Sequence, residues 1–228
     1  MRSVPFKMLT CSLAILLLSV STAWAKQEAL PEVSKDGLHL LKDTKARVVY
    51  AAPGATMDPY SRVMIVDCFV AFRDDYKHDY NLDHMGLDGR ISDKDLEKIK
   101  KKLAEEFKKE FVKVLTKDGH SVVDEAGSDV LLLRPAIINL DITAPDLLSA
   151  GFTRVVVRSA GQMTLYMELY DSASSTLLAR VIDPEADDRA FAQEANRVTN
   201  KAAADRIIKD WAGMLSSHLS DVKQKMTE

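Results

Sequence analysis

The segment from residue 162 to residue 182 constrains the fold most, because its side chains alternate between apolar and polar positions. Met163, Leu165, Met167 and Leu169 take every second position, and the residues between them are polar or aromatic. Successive side chains of a strand point to opposite faces of a sheet, so this segment has one apolar face. The small and polar residues 171–175 form a turn, and 162–182 is therefore predicted to be a β-hairpin.

Further strands are predicted before this hairpin. Residues 129–142 form the longest one, which is apolar on both faces at first and alternates later, as in a strand whose first part is buried on both sides. Pro135 cannot donate a hydrogen bond to a neighbouring strand, so a bulge or a sheet edge is predicted there. Shorter strands are predicted at four places: 47–50, 62–72, 121–124 and 153–158.

Two long helices are predicted from the spacing of apolar residues. Ser92 is a good N-cap, and Asp95 stands three residues later in an acidic variant of the capping box. Apolar residues then recur at spacings of three and four, and Gly119 can adopt the left-handed conformation that commonly ends a helix. A second apolar stripe with helical spacing runs from Phe191 to Leu219.

The order of these elements predicts an α+β fold, with one mainly antiparallel sheet of about five to six strands and two long helices packed on one face. The opposite face would be solvated, covered by the N-terminal arm or covered by a partner. Residues 46–222 are predicted to be a single α+β domain, which follows an irregular N-terminal arm at 26–45 and precedes a frayed tail at 223–228. Residues 73–91 are predicted to be a charged loop.

Residues 1–25 have the three parts of a cleavable signal peptide. Arg2 and Lys7 give a positive start, residues 8–20 are mostly apolar, and Ala23 and Ala25 are the small residues of a cleavage site. The apolar run is shorter than the roughly 20 residues that span a bilayer, so an uncleaved anchor is the weaker interpretation. We expect cleavage after Ala25 and a periplasmic location.

The two cysteines bear on membrane attachment and on redox chemistry. Lipid attachment at Cys11 is an alternative to cleavage after Ala25, but residues 8–10 match the signal before a lipidated cysteine poorly. Cleavage would leave Cys68 as the one remaining thiol, which cannot form an internal disulfide. Its apolar, strand-like surroundings predict a buried thiol, since a reactive one needs exposure and a neighbouring base.

The charge balance argues against nucleic acid as a partner. The chain has 31 basic and 34 acidic residues and a net charge of −3, and it contains no basic stripe with interleaved aromatic residues. No second long apolar run follows the first, so no transmembrane segment is expected after signal cleavage.

The charged loop at 73–91 holds the one arrangement that suggests metal chemistry. Residues 88–95 resemble the second half of a calcium loop, but the first half offers His84 and Gly86 where oxygen ligands are needed. No paired His or Cys spacing supports a metal site either. Four side chains could still act as ligands: His78, Asp79, Asp83 and His84. A metal-assisted hydrolase using the 78–88 loop is kept as an alternative, and no metal, cofactor or catalytic residue is assigned.

The remaining polar residues favour binding over catalysis. No nucleophile motif stands at a predicted strand-to-helix turn, and Asp187 and Asp188 lie at a predicted helix start, where they favour the helix dipole. His39, His120 and His218 are isolated, and we expect them to be structural or exposed. Five side chains could line a binding face: Tyr60, Tyr76, Tyr80, Asp141 and Asp146.

Seven short motifs together carry a resemblance to a known family. They are Tyr-Ala-Ala-Pro-Gly at 50–54, Met-Asp-Pro-Tyr at 57–60, Val-Ala-Phe-Arg at 70–73, Asp-Val-Leu-Leu-Leu-Arg at 129–134, Ala-Gly at 160–161, Leu-Tyr-Asp at 169–171 and Leu-Ala-Arg at 178–180. Over about residues 45–220 the chain resembles domain-of-unknown-function family 3313, bacterial exported proteins that are often labelled lipoproteins. The resemblance supplies no catalytic residues, and this chain departs from many members in lacking a convincing lipidation signal.

Taken together, these features favour a non-catalytic accessory or binding protein of the periplasm or cell envelope, with an envelope protein as its partner. The two alternatives are the metal-assisted hydrolase and a structural domain that forms oligomers.

The protein isolated from cells that export it is expected to begin at Lys26, as read by N-terminal sequencing or intact mass. Changing Ala25 to Arg is expected to block cleavage, because a signal peptidase accepts small residues at that position. The variant should then accumulate as the 25.3 kDa precursor. An uncleaved wild-type chain, or a lipid-modified N-terminus at Cys11, would contradict this prediction.

Overall fold

Eight strands form one mixed sheet within the residues that the computed structural model describes, which are 30–84, 89–142, 155–195 and 197–225. The predicted signal peptide lies outside these ranges, and its cleavage stays a prediction. The strands are β1 His39–Leu41, β2 Val48–Ala51, β3 Arg62–Ile65, β4 Phe69–Phe72, β5 Ser121–Val123, β6 Val130–Ile142, β7 Val155–Asp171 and β8 Leu177–Ala195. The helices are α1 Tyr76–Asp83, α2 Asp93–Lys117 and α3 Arg197–Lys225.

The sheet runs in the order β1-β2-β8-β7-β6-β3-β5, and β4 pairs with β6 beside β3. The five neighbouring strands β1, β2, β8, β7 and β6 pair antiparallel. The other pairs are parallel: β3 with β5 and with β6, and β4 with β6. The prediction of a mainly antiparallel sheet of five to six strands is corrected accordingly. The parallel pairs arise because α2 carries the chain back over one face before β5 and β6 begin, as a crossover connection does.

The predicted strand at 62–72 is two strands, β3 and β4, which both pair with β6. β3 pairs with β6 as far as Leu133, and β4 resumes the pairing at Ala136. Pro135 lies between these positions and has no N–H to donate, so the bulge or edge predicted at this residue corresponds to a gap in the pairing on the β3–β4 side of β6.

A bulge in β6 lies further along the strand than Pro135. The register with β7 shifts between Ile138 and Asp141, and Asn139 has a positive φ of 53°. Just past the bulge, Gly161 of β7 pairs with Ile142, and a Cβ atom at residue 161 would overlap the carbonyl oxygen of Asp141. Glycine at 161 therefore lets the two bent strands approach each other.

The segment predicted to be a charged loop contains the short helix α1, so that prediction is wrong for Tyr76–Asp83. A ladder of rings explains the helix: Phe72 stacks on Tyr76 with centroids 4.6 Å apart, and Tyr80 stacks on His84 at 4.1 Å. Side chains four residues apart are neighbours on a helix, so Tyr76, Tyr80 and His84 line one side of α1, with the Tyr76 and Tyr80 ring centroids 6.0 Å apart, and Phe72 of β4 extends this row.

The second long helix begins later than its apolar stripe predicts. β8 continues through Phe191 to Ala195, and α3 begins at Arg197. Asp187 and Asp188 consequently lie in β8 and not at a helix start. The predicted strand at 153–158 likewise becomes part of β7, because Val155 pairs with Ala195 at the far end of the hairpin.

Part of the N-terminal arm predicted to be irregular is ordered against the sheet. Residues His39–Leu41 form β1, which pairs antiparallel with β2. Leu38 is buried together with Val48 and Tyr50, and the Tyr50 hydroxyl donates a hydrogen bond to the carbonyl of Pro31 at 2.9 Å. The arm therefore covers the β1-β2 end of the sheet on the side away from the helices.

Three helices are present in the described chain where two were predicted, and the two long ones, α2 and α3, pack on the same face of the sheet. One apolar cluster joins this face to Phe107 and Phe111 of α2 and to Ile208 and Trp211 of α3. Phe107, Phe111 and Ile208 are fully buried, and each side chain of this kind contributes about 1.5–3 kcal/mol to folding. Among the described helices, none has both the length and the apolar character of a membrane span.

The predicted start and end of α2 are confirmed. The Ser92 side chain accepts a hydrogen bond from the Asp95 backbone, and the Asp95 carboxylate accepts one from the Ser92 backbone at 3.0 Å. Gly119 follows the helix with a φ of 86°. Asp95, the last acid of the half calcium loop, thus serves as a helix cap.

Candidate functional site

The tyrosines predicted to line a binding face are not grouped at the surface. Tyr60 is buried and donates to Asp171 at 2.9 Å. Burial and the Asp171 carboxylate raise the pKa of Tyr60 to about 12. Tyr76 is buried at the start of α1 and donates to the carbonyl of Ile142 at 2.8 Å. Both residues support the fold, and Asp146 lies outside the described residues.

Two carboxylates in and beside the candidate metal loop, Asp79 and Asp141, share Arg73 as their partner. Arg73 donates to Asp141 through Nε at 2.7 Å and to Asp79 through Nη1 at 2.6 Å. His84 Nδ1 lies 2.9 Å from the carbonyl oxygen of Tyr80. Within the described part of the chain, no group of three or more His, Cys, Asp or Glu side chains is arranged to hold a metal ion.

The single thiol of the described chain is buried, as the sequence predicts. Burial raises the pKa of Cys68 to about 12, which keeps the thiol protonated and unreactive near neutral pH. His120 is buried with Nε2 3.2 Å from the carbonyl oxygen of Ser216, so it joins the start of β5 to α3. His39 and His218 are exposed. These placements agree with the structural or exposed roles expected for the three histidines.

The sheet surface opposite the two long helices, which we name the open face, is the best candidate for a functional site. Its side chains alternate along β6 and β7 with residues of the core, such as Leu133 and Leu165, so they point away from the helices. The open face consists of Phe69, Leu132, Arg134, Ala136, Ile138, Thr164, Tyr166, Glu168, Tyr170 and Arg180.

The centre of the open face is Glu168, a carboxylate whose side chain is 11% exposed. Arg180 donates to it through Nη2 at 2.8 Å, Tyr170 at 2.8 Å and Tyr166 at 3.1 Å. Arg134 adds a longer ion pair at 3.8 Å. Charge-assisted hydrogen bonds of this kind are roughly twice as strong as neutral ones, so the side chains around Glu168 are held in place.

Arg180 connects this centre to the N-terminal arm. Its Nη1 lies 2.6 Å from the carboxylate of Asp36, and its guanidinium carbon lies 5.5 Å from the centre of the Tyr166 ring. The cation–π contact and the two carboxylates together fix a side chain that is 14% exposed. The arm therefore covers the open face up to Arg180.

The protonation of the centre follows from these contacts. Burial tends to raise the pKa of Glu168, but the hydrogen bonds from Arg180, Tyr170 and Tyr166 outweigh it, and the pKa lies below its usual range. Burial and the same carboxylate raise the pKa of Tyr170. At neutral pH the centre is thus an ionised Glu168 surrounded by protonated donors, which gives a stable arrangement with no group poised to transfer a proton.

Beyond Arg180 the open face carries exposed apolar and cationic side chains. Phe69 pairs with Ala136, which pairs with Tyr166, so the three lie in one row across the sheet. Phe69 is 64% exposed, and the Arg134 side chain is 68% exposed. Among the described strands, β6 alone pairs with β4, so the outer edge of β4 next to Phe69 is unpaired.

The composition of the open face suits protein binding. Tyr, Phe and Arg are enriched in protein–protein interfaces and among the residues that contribute most to binding energy. The sequence signal for this site is the alternation of Tyr166, Glu168 and Tyr170 on one side of the hairpin. It could not reveal Arg180 as their partner, because that contact forms across the turn and depends on the register of β7 and β8.

The chain is therefore an α+β domain whose mixed sheet is covered by two long helices on one face. It belongs to the family described as "Protein of unknown function (DUF3313)", whose sequence profile matches residues 34–215. This match confirms the resemblance of the short motifs. No curated protein matches the chain.

Three solved structures show limited similarity to the chain. A DUF330 protein from Xanthomonas campestris is 12% identical with a TM-score of 0.41, and 78% of this chain and 93% of that one are covered. The PelC dodecamer from Paraburkholderia phytofirmans is 9% identical with a TM-score of 0.35, covering 71% and 93%. A minor lipoprotein from Acinetobacter baumannii is 12% identical with a TM-score of 0.33, covering 72% and 95%. Similarities of this size do not extend to function.

Changing Arg180 to Met is expected to lower the free energy of unfolding by about 3–5 kcal/mol, because it leaves the buried Glu168 carboxylate without its main partner. The matched change of Arg134 to Met should cost less than about 1 kcal/mol, since that side chain is largely exposed. Urea unfolding at pH 7 measures both values.

The same centre gives the protein a pH dependence. A carboxylate with a lowered pKa stabilises the fold above the ordinary glutamate pKa of 4.5, and this contribution is lost as the pH falls through the native pKa. The Glu168→Gln variant should lack that part of the acid sensitivity. Equal losses for Arg180→Met and Arg134→Met, or an unchanged acid profile in Glu168→Gln, would contradict the assignment.

Proposed function

We propose that this protein is exported to the periplasm and acts there as a non-catalytic accessory protein, which binds a protein partner of the cell envelope through the open face. The observation that carries the proposal is that Phe69 and Arg134 are largely exposed on the sheet face opposite the long helices, next to the fixed Glu168 centre.

The exposed apolar area is large enough to contribute to binding. Complete burial of a phenylalanine side chain contributes about 1.5–3 kcal/mol, and Phe69 has most of its surface still exposed. Leu132 and Ile138 are half-buried in the same face and would lose further area to a partner. An interface needs such an apolar centre with polar groups around it, and Arg134, Thr164 and Tyr170 supply that border.

The rigidity of the Glu168 centre also supports this function. Ordering flexible side chains at an interface costs roughly 0.5–1.5 kcal/mol each. Tyr166, Tyr170 and Arg180 are already fixed by hydrogen bonds to Glu168. These side chains have already lost their conformational entropy during folding, so a partner that contacts them does not have to order them.

The predicted leader supports the compartment. A positive start, a short apolar run and Ala23 and Ala25 at its end are typical of export through a cleavable signal. Exported proteins usually pair their cysteines in disulfides or bury them. Cys68 has no disulfide partner within the described chain and is buried, which suits an oxidising compartment.

The two alternative functions have less support. Asp79, one ligand of the hypothetical metal loop, is paired with Arg73, so a metal ion would have to displace a guanidinium from that carboxylate. An oligomer-forming domain would use the open face for a second copy of the chain, and the mass of a cross-linked product distinguishes that case from a different partner.

A photoreactive benzoylphenylalanine at position 69 is expected to form one discrete adduct in the cells that produce the protein, because the open face meets its partner there. The matched control places the same residue at Leu82, an apolar side chain on α1 with a similar exposure of 56%. The adduct at 69 should have the mass of a second, different protein, and the control should give none.

A second arm tests whether Phe69 itself contributes. With the photoreactive residue at Ile138, the change Phe69→Ala is expected to weaken the adduct by about tenfold or more, as truncation of a well-packed interface aromatic does. Adducts of equal yield at 69 and 82, or none at either, would contradict the proposal. An adduct of twice the mass of the chain would support the oligomer instead.

A further inference from the structure

A groove lies at the surface where α2 and α3 run side by side, on the helix layer and apart from the open face. Its volume is about 570 Å³. Four lysines line it: Lys45 before β2, Lys113 and Lys117 of α2, and Lys209 of α3. Three separate segments of the chain thus bring ammonium groups to one concave surface.

The groove is lined by more lysines than carboxylates. Two acids line it, Asp118 and Asp210, and Asp118 accepts a hydrogen bond from Ser216 at 2.7 Å. Lys113 is paired with the buried Glu110 at 3.1 Å. No ion pair involves the other three lysines within the described residues, so their charges are available to a ligand.

The wall between the lysines is apolar and has room for a ligand. Val114 and Met214 line it from the two helices. Gly213 also lies there, and a Cβ atom at that position would have no heavy atom within 4 Å outside the neighbouring backbone of its own helix. Glycine is a poor helix former, and here it keeps the middle of the groove open.

The groove belongs to the positive side of a molecule with a strong charge asymmetry. α2 holds nine lysines against six acids, and α3 holds six basic residues against three acids. Each helix therefore has a net charge of +3, while the whole chain has −3, so all other residues together carry −9. Such a distribution orients a protein with its helix layer toward an anionic surface.

We propose that the groove between α2 and α3 binds the phosphate group of an anionic membrane lipid. The lysines would hold the phosphate, and the apolar wall at Val114 and Met214 would contact the first carbons of the lipid. A flat anionic surface can interact with the positive charges of the whole helix layer. A small soluble phosphate would contact only the lysines of the groove. Binding in this orientation would leave the open face, on the opposite side of the sheet, accessible to a protein partner.

The test is sedimentation of the purified protein with vesicles of phosphatidylglycerol and phosphatidylcholine, compared with vesicles of phosphatidylcholine alone. We expect binding to the anionic vesicles only. The double change Lys117→Gln and Lys209→Gln should reduce the partition coefficient about 30-fold, since each lysine near an anionic surface contributes about fivefold. The matched control is Lys94→Gln with Lys101→Gln, which removes the same charge from exposed sites on α2 outside the groove.

A change of shape without a change of charge separates the groove from general electrostatic attraction. Gly213→Leu fills the open space between the lysines and should reduce binding at least about tenfold, while thermal unfolding shows that the variant stays folded. A competition experiment with glycerol 3-phosphate tests for a soluble ligand. At low millimolar concentration this compound should not displace the protein from anionic vesicles.

Three results would overturn the proposal. The first is an equal loss of binding in the groove variant and its control, which would indicate diffuse attraction. The second is full binding by Gly213→Leu. The third is binding of glycerol 3-phosphate in the groove without binding to anionic vesicles, which would make the ligand a soluble phosphate.

Discussion

The alternation of side chains along β6 and β7 makes the two faces of the sheet chemically different, and the rest of the structure depends on this difference. One face presents residues such as Leu133 and Leu165 to α2 and α3. The other presents the exposed Arg134, whose charge a covering helix would desolvate, and the Glu168 centre, which is held by its own hydrogen bonds. Helices therefore cover one face, and the second face is left for the N-terminal arm and for a partner.

Each face of the sheet contains a buried carboxylate that is held by several donors. On the helix side, Asp183 accepts hydrogen bonds from the indole N–H of Trp211 at 2.9 Å and from the backbone of Arg47 at 2.7 Å. On the open face, Glu168 receives Arg180 and two tyrosine hydroxyls. A buried carboxylate without such donors is strongly destabilising, so these two sites fix how β2, β8 and α3 fit together.

The division of the molecule also suggests how its two proposed activities fit together. The open face is aromatic and has its charges paired within the fold, which suits a protein partner. The helix layer is cationic and carries a groove lined by lysines, which suits phosphate. The sheet lies between the two surfaces, so each could be occupied without competition from the other.

Local patterns predicted local structure well. Ser92 and Asp95 identified the start of α2, and Pro135 indicated where the neighbour of β6 is interrupted, because both effects involve a few adjacent residues. The assignment failed where tertiary pairing decides. Phe191 and Ala195 have helical spacing, but they lie in β8, whose pairing with β7 extends to Ala195.

The candidate site was harder to predict than the fold. The polar side of the hairpin was visible in the sequence, but the ion pair of Glu168 with Arg180 depends on the register across the turn. Tyr60 and Tyr76 looked like surface aromatics and are buried, because each hydroxyl finds an acceptor inside the fold. A sequence pattern shows which residues are amphipathic but not which acceptor lies beside them.

Hydroxyl-radical footprinting of the purified protein measures whether helices cover one face of the sheet and leave the other accessible. We expect rapid oxidation of Phe69 and strong protection of Phe107 and Phe111, since the three side chains have the same intrinsic reactivity and differ in exposure. Protection of Phe69 at a protein concentration where the chain is monomeric, or oxidation of Phe107 and Phe111 at a rate similar to that of Phe69, would contradict it.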